Sequence, residues 1–140
     1  MLINYTSKEL DLLARIMRAE ALAEGNLGML MVGNVVVNRA IANCLTFTNI
    51  RSITDAVYQK NQFSGTQGSL FQASATTLEK NLAERALRGE YYYPATHALW
   101  FYAPAKNTSC KSVWYDQDFA GSYKNHCFYR PDPGVCNELY

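Results

Sequence analysis

The sequence predicts an α+β fold, mainly helical, with a small antiparallel β element in its last third, and three observations predict it. Apolar residues recur at helical spacing over residues 6–23 and again over 74–88. Between them, residues 26–43 are apolar nearly all round, which suits a buried central helix. After Gly89 the pattern changes to aromatic clusters, Tyr91-Tyr92-Tyr93, Trp100-Phe101-Tyr102, Trp114-Tyr115 and Phe128-Tyr129, of the kind strands accommodate. With 140 residues, 49% of them apolar, residues 1–140 are expected to form one domain with a real core.

The first helix is announced by Thr6 and Glu9, a capping-box pair in which hydroxyl and carboxylate each satisfy an unpaired backbone N–H. At about 100° per residue, Leu12, Leu13, Ala14, Ile16, Met17 and Ala21 share one arc, and Lys8, Asp11, Arg15 and Arg18 the opposite one. Glu20 falls on the apolar arc, between Ile16 and Leu13. Either it is buried or lines a cleft, or, lying near the helix end, it reaches out to solvent or to an arginine. In the first case its charged form is disfavoured and its pKa raised, which suits a general acid.

Glu24-Gly25-Asn26 predicts a turn. Residues 26–43 contain a β-branched run, but about 18 residues without a turn signal is too long for a typical strand. Asn34 and Asn38 lie one turn apart on that helix and serve the same place, either as core amides bonded to backbone or as ligand contacts. Residues 52–59 predict a short helix with Ser52 and Asp55 in capping positions, and residues 60–72 break it. Within that break, Gln62, Phe63 and Ser64 begin a run of amides, hydroxyls and glycines that suits a loop lining a polyhydroxylated ligand, though by composition alone it is a turn. Residues 74–88 predict an ordinary amphipathic helix stopped by Gly89. Residues 97–103 and 126–130 read as strands, with residues 111–115 as a further candidate.

The rings of the last third face either core or cleft, and those facing a groove can stack on sugars. His126 is expected to bond a backbone group rather than act in catalysis. Cys44, Cys110, Cys127 and Cys136 form no CxxC pair, so zinc is disfavoured, although Cys110, His126, Cys127 and Cys136 together have four ligand atoms to offer. In a reducing cytosol they are thiols; an oxidising surface setting allows bridges, for example Cys127 to Cys136. The net charge of +1 is spread without a basic run, which argues against nucleic acid and anionic membrane surfaces and for a neutral or mildly charged substrate. Residues 1–10 hold no apolar signal segment and no later stretch reaches membrane-span length, so folding in a cytosol is expected.

An ordered series of short pieces resembles a known family: Leu13-Ala14-Arg15 through Ala19-Glu20-Ala21, Glu24-Gly25, Gly28, Val32-Gly33-Asn34-Val35, Val37-Asn38-Arg39, Tyr58-Gln59, Gln62-Phe63, Ala86-Leu87, Gly89, Leu99-Trp100-Phe101-Tyr102, Pro104, Trp114-Tyr115 and His126-Cys127-Phe128-Tyr129. No single piece is specific, but their order over nearly the whole chain is that of the spore cortex-lytic cell-wall hydrolases, the SleB/CwlJ family, with the cysteine-bearing segments closest to its CwlJ branch. The resemblance implies a single-domain fold related to lytic transglycosylases and goose-type lysozymes, with one catalytic glutamate at the end of the first long helix. Glu20 matches that position. The chain departs from SleB-like relatives in having no signal sequence and no N-terminal peptidoglycan-binding repeats, as CwlJ-like members do.

The expected function is cleavage of spore cortex peptidoglycan strands during germination, with Glu20 as the catalytic acid and base. Glu24, Asn38, Gln62, Phe63, Ser64, Tyr102, Trp114 and Tyr129 are expected to contact substrate. Most glycosidases place two carboxylates across the scissile bond. Glu24 is one helical turn from Glu20 and points the same way, and Asp55, Asp116 and Asp118 have no pattern that puts them in a cleft. A single carboxylate favours a lytic transglycosylase over plain hydrolysis. Competing readings are a non-catalytic glycan-binding module and a coat scaffold cross-linked through tyrosines and cysteines. Neither mechanism needs a metal or cofactor. The branch implies synthesis in the mother-cell cytoplasm, a place at the spore coat/cortex boundary, a coat protein partner and activation by calcium dipicolinate, for which no carboxylate cluster marks a site. Residues 119–140, rich in aromatics, either dock that partner or pack on their own domain.

Overall fold

The computed structural model describes residues 3–60 and 62–140. Helix α1 (Ser7–Ala21) starts as expected: the Glu9 N–H donates to Thr6 Oγ1 (3.1 Å) and the Thr6 N–H to Glu9 Oε1 (3.2 Å). A 3-10 turn, Leu22–Glu24, follows, and Gly25 at φ +79° turns the chain into α2 (Gly25–Ile41). That positive φ is the left-handed conformation glycine adopts at least cost. Helix α2 is the central buried helix, with Leu30, Val32, Val35 and Val36 fully enclosed. It packs between α1 and α5 (Thr77–Leu87) at close range, because a Cβ on Gly33 would stand 2.9 Å from Met17 Sδ and 3.1 Å from Ala86 Cβ. Helix α3 (Ile53–Tyr58) is capped by Ser52 as predicted, and a 3-10 turn, Ser64–Gln67, leads into the single turn α4 (Ser69–Gln72).

One polar group of the helical half behaves differently from its sequence pattern. Arg18, expected on the solvated arc, is 7% exposed. Its guanidinium donates to Glu79 Oε1 (2.8 Å), to the carbonyls of Leu70 and Ser74, and to that of Ala73. The segment joining α4 to α5 thus supplies acceptors that let a buried charge be paired and saturated. Asn34 and Asn38 are the core amides of the two alternatives. Asn34 Nδ2 donates to Glu90 O and its Oδ1 accepts the Tyr92 N–H, while Asn38 Nδ2 donates to Ala98 O (2.8 Å) with Ala95 O and Thr96 O at 3.3 Å. They pin residues 90–98, which have no regular structure of their own, onto α2.

The sheet has the order β1-β4-β3-β2, antiparallel throughout, from β1 (Trp100–Tyr102), β2 (Val113–Trp114), β3 (Gln117–Tyr123) and β4 (His126–Arg130). The sequence indicates β1, β2 and β4 but not β3. In β3 apolar residues are sparse, and the register shifts between Phe119 and Gly121, so no strict alternation exists to be read. Gly121 stands at φ +150°, and a Cβ there would meet Pro94 Cβ at 2.7 Å. Pairing with the enclosed strand β4 therefore makes β3 a strand.

All four cysteines are bridged, Cys44 to Cys136 and Cys110 to Cys127, which corrects the example pairing of Cys127 with Cys136 and engages the sulfurs of the conceivable zinc set. The first bridge ties the C-terminal segment to the loop after α2. Cys136 is fully buried, Tyr140 donates to Pro131 O (2.6 Å), and its ring stacks on His97 at 4.1 Å. The terminal residues pack on their own domain, the second of the alternatives for them. Among the described residues no helix is long and apolar enough to cross a membrane.

Candidate active site

The capping box fixes where α1 begins, so Glu20 arrives at its last turn, beside the loop that carries Gly65. A Cβ on Gly65 would stand 2.2 Å from Glu20 Oε2, so only the bare backbone of a glycine lets the loop approach this closely. Burial raises the Glu20 carboxyl above its ordinary value, while a hydrogen bond from the Gly65 backbone and the charge of Arg39 pull it back. The carboxylate remains partly exposed. It is a solvent-reachable acid that holds its proton more tightly than a surface glutamate.

Arg39 comes from α2; the sequence reading named it only within the piece Val37-Asn38-Arg39 and gave it no role. It is 3% exposed, donates from Nε to Leu99 O at 2.7 Å, and places its guanidinium carbon 4.8 Å from the Phe63 ring centre and 5.3 Å from that of Phe47. Burial pushes it down to about 9, against the opposing pull of Tyr115 and Glu20, so it is charged at neutral pH. Tyr115, another residue missed by the sequence reading, sits at φ +53° in the β2–β3 turn and stacks on Trp100 at 6.3 Å.

Beneath Glu20 lies the β3–β4 hairpin. Burial holds the His126 imidazole below its ordinary value, against the opposing pull of Glu24 and the Glu20 backbone. Its Nδ1 stands 3.8 Å from Glu24 Oε1, which accepts the Asn125 N–H at 3.2 Å, and Lys124 Nζ donates to Glu24 O at 3.1 Å. Glu24 was expected to point the same way as Glu20 and meet substrate. It is instead 5% exposed and turned inward, because α1 ends at Ala21 and the 3-10 turn breaks the helical phase between the two glutamates. Glu24 holds the hairpin to the helix end.

Of the other expected contacts, Asn38 and Tyr129 are corrected. Asn38 is spent on backbone carbonyls, and Tyr129 is fully buried with its hydroxyl donating to Lys111 O at 2.7 Å. Phe63 is 7% exposed and forms the wall between Arg39 and Phe101, whose ring lies 6.1 Å away. Gln62 is partly exposed and Ser64 exposed, on the loop that meets Glu20. A hollow of about 530 Å³ has Val57, Tyr58, Phe63, Ser64 and Thr66 in its lining. Tyr102 and Trp114 are partly exposed and stacked at 4.4 Å, with Trp114 edge-on to the exposed Tyr115 at 5.4 Å. This row leads toward Arg39, with Lys111 Nζ 4.8 Å over the Trp114 ring. Asp55 accepts the Arg51 N–H, and Asp116 and Asp118 are exposed, so no second carboxylate is presented opposite Glu20 among these residues.

The family described as Cell Wall Hydrolase matches residues 23–129. This chain belongs to that family. It is 47% identical to the cell wall hydrolase CwlJ of Oceanobacillus iheyensis over 139 residues, covering 99% of this chain and 97% of that one. Identity to CwlJ of Bacillus subtilis is 41% over 138 residues, with 99% and 96% covered. Among solved structures, the catalytic domain of the Bacillus cereus SleB protein superposes with a TM-score of 0.71 at 20% identity, covering 91% of this chain and 93% of that one. The catalytic domain of SleB from Bacillus anthracis, described as a germination-specific lytic transglycosylase, also gives 0.71, at 19% identity and with 91% and 98% covered. The fold of this Cell Wall Hydrolase member is thus the lysozyme-like α+β fold of the SleB catalytic domain. The family match begins after Glu20, so the case for that carboxylate rests on its geometry.

Proposed function

We propose that residues 1–140 form a catalytic unit that cleaves the glycan strands of spore cortex peptidoglycan during germination, as a lytic transglycosylase with Glu20 as its one acid and base. The observation that carries the reading is the half-buried Glu20 carboxylate, pressed by the Gly65 backbone and raised above its ordinary value by burial, with Glu24 turned away. Glu20 donates its proton to the glycosidic oxygen as the bond to C1 breaks. The Glu20 carboxylate then takes the proton of the muramic acid C6 hydroxyl, whose oxygen bonds to C1 and closes an anhydro ring. One proton leaves Glu20 and one returns, no water is consumed, and one carboxylate suffices. The name of the Bacillus anthracis relative supports this outcome. The name hydrolase, borne by the CwlJ relatives, supports a second one, in which water replaces the C6 hydroxyl.

Gln62, Ser64, Tyr102 and Trp114 are the proposed sugar contacts, with Phe63 as supporting wall. Placement at the coat/cortex boundary through a coat protein, and activation by calcium dipicolinate, are proposed on the likeness to CwlJ and are given no docking site. Mass spectrometry of digested cortex tests the reaction: anhydro-muramic ends are expected, and reducing ends alone would replace transglycosylation by hydrolysis. Glu20→Gln should still bind cortex without releasing fragments. Undiminished release would remove Glu20 from the mechanism and leave the fold as a glycan-binding or scaffold module.

A further inference from the structure

Among the described residues two arginines are buried, and they are not alike. Arg18 is saturated, with an ion pair to Glu79 at 2.8 Å and backbone carbonyls around the rest of its fork. Arg39 has one backbone acceptor, two aromatic faces, a buried Nη1 with no partner, and no ion pair among the described residues. A buried cation without a contact partner costs a protein stability, and its retention calls for a reason. The groups whose charge bears on Arg39 are Tyr115 and Glu20, and of these Glu20 alone is ionisable to an anion near neutral pH.

We infer that Arg39 is a positioning residue for Glu20: Leu99 and the Phe47 and Phe63 rings hold its cation outside ion-pair contact, where it steadies the carboxylate that proton donation leaves. The inference rests on the reading of Glu20 as acid and base. A contact ion pair would keep the carboxylate ionised and unable to donate; burial without any cation would keep it protonated and unable to take the second proton. A cation held back from contact lies between these limits, as a group that must donate and then accept requires. Phe63 serves both sides of this arrangement, since it stacks on the guanidinium and begins the turn that brings Gly65 against Glu20. The other titratable groups near Glu20 are His126, beside its backbone, and Glu24 behind His126. The turn Ser64–Gln67 that carries Gly65 has no charged residue, Lys60 lines the hollow beside it, and Tyr115 faces Arg39 from the β2–β3 turn.

The test follows the Glu20 carboxyl by carbon NMR in the free protein, alongside the pH profile of turnover on isolated glycan strands. In Arg39→Gln the Glu20 midpoint should rise by about one pH unit, the alkaline limb of turnover should move up with it, and Arg39→Lys should restore most of the shift. Arg39→Met, which keeps the apolar stem between the rings, carries the same expectation if the glutamine variant does not fold. In the unaltered protein the Arg39 Nε resonance should follow the Glu20 titration and cease to do so in Glu20→Gln. A folded neutral variant with an unmoved Glu20 midpoint, or an Nε resonance indifferent to that titration, overturns the inference. If the midpoint moves but Glu20→Gln stays active, the coupling holds and the reading of Glu20 as catalyst is what fails.

Discussion

In the helical half, α1, α2 and α5 enclose Leu13, Ile16, Met17, Leu30, Val36, Ala83 and Ala86 with no covalent tie between them. In the sheet half the strands run from two to seven residues, and the smaller core there, Phe47, Leu99, Trp100 and Tyr129, is closed by both disulfides. The contrast follows from how much apolar surface each can bury. Long helices with a wide apolar stripe stabilise themselves by packing, whereas a two-residue strand and a bulged one do not and depend on cross-links and stacked rings. Glu20 stands where the halves meet, on a helix that the first half makes rigid, against a hairpin that the second must hold in place through His126 and Glu24.

The largest effect expected along that seam is chemical. Glu20→Gln should lower turnover by about 10²–10⁴-fold with the melting temperature nearly unchanged. Because the acid must carry its proton, wild-type activity should be present below the raised Glu20 value and fall as pH rises through it, at a higher pH than an ordinary glutamate gives. A pH–rate profile falling in the range of an exposed carboxylate would contradict this.

The two halves should then separate under reductant. Replacing Cys44 and Cys136 by serine opens a closure of 92 residues, for which chain entropy predicts a loss of about 4–5 kcal/mol. The closure of 17 residues by Cys110 and Cys127 should contribute nearer 3 kcal/mol. Leu13→Ala, in the helical half, should cost about 2–5 kcal/mol whether or not reductant is present. Denaturant unfolding with and without reductant measures all three; a Leu13→Ala loss that vanishes on reduction would mean the halves do not differ as described.

Smaller effects sharpen the site itself. Gly65→Ala drives a methyl into Glu20 Oε2, so the carboxylate must move, and turnover should fall by roughly 10–100-fold with little loss of stability. Trp114→Ala should act on glycan affinity by about 1 kcal/mol, read as a raised KM at nearly constant kcat. An equal loss in melting temperature would make Trp114 a brace for Tyr102 and Tyr129 rather than a sugar platform.

Periodicity and capping chemistry are local, and they made α1, α2, α3, α5 and β4 legible before any contact was known. They also showed that Glu20 sits on the wrong side of its helix, because a helix of known phase says which residues face inward. They did not show what meets those residues. Arg18 reads as solvated until residues 70–74 bring carbonyls over it, and nothing local marks Arg39 as buried until Leu99, Phe47 and Phe63 enclose it. Asn38 and Tyr129 have the chemistry of ligand contacts and are spent on the backbone of distant segments. Glu24 keeps the spacing of a helical neighbour of Glu20 but loses the phase at the 3-10 turn, and β3 becomes a strand only by pairing with β4. The cysteine pairs follow the same division: spacing along the chain leaves their partners open, and the bridges form where the packed sheet and the loop after α2 bring sulfurs together. The sequence by itself determined which backbone is helical and which face is apolar. Tertiary structure decided which polar groups on those faces are enclosed and saturated and which, like Glu20, stay half-exposed, because a hydrogen-bond partner can come from anywhere in the chain.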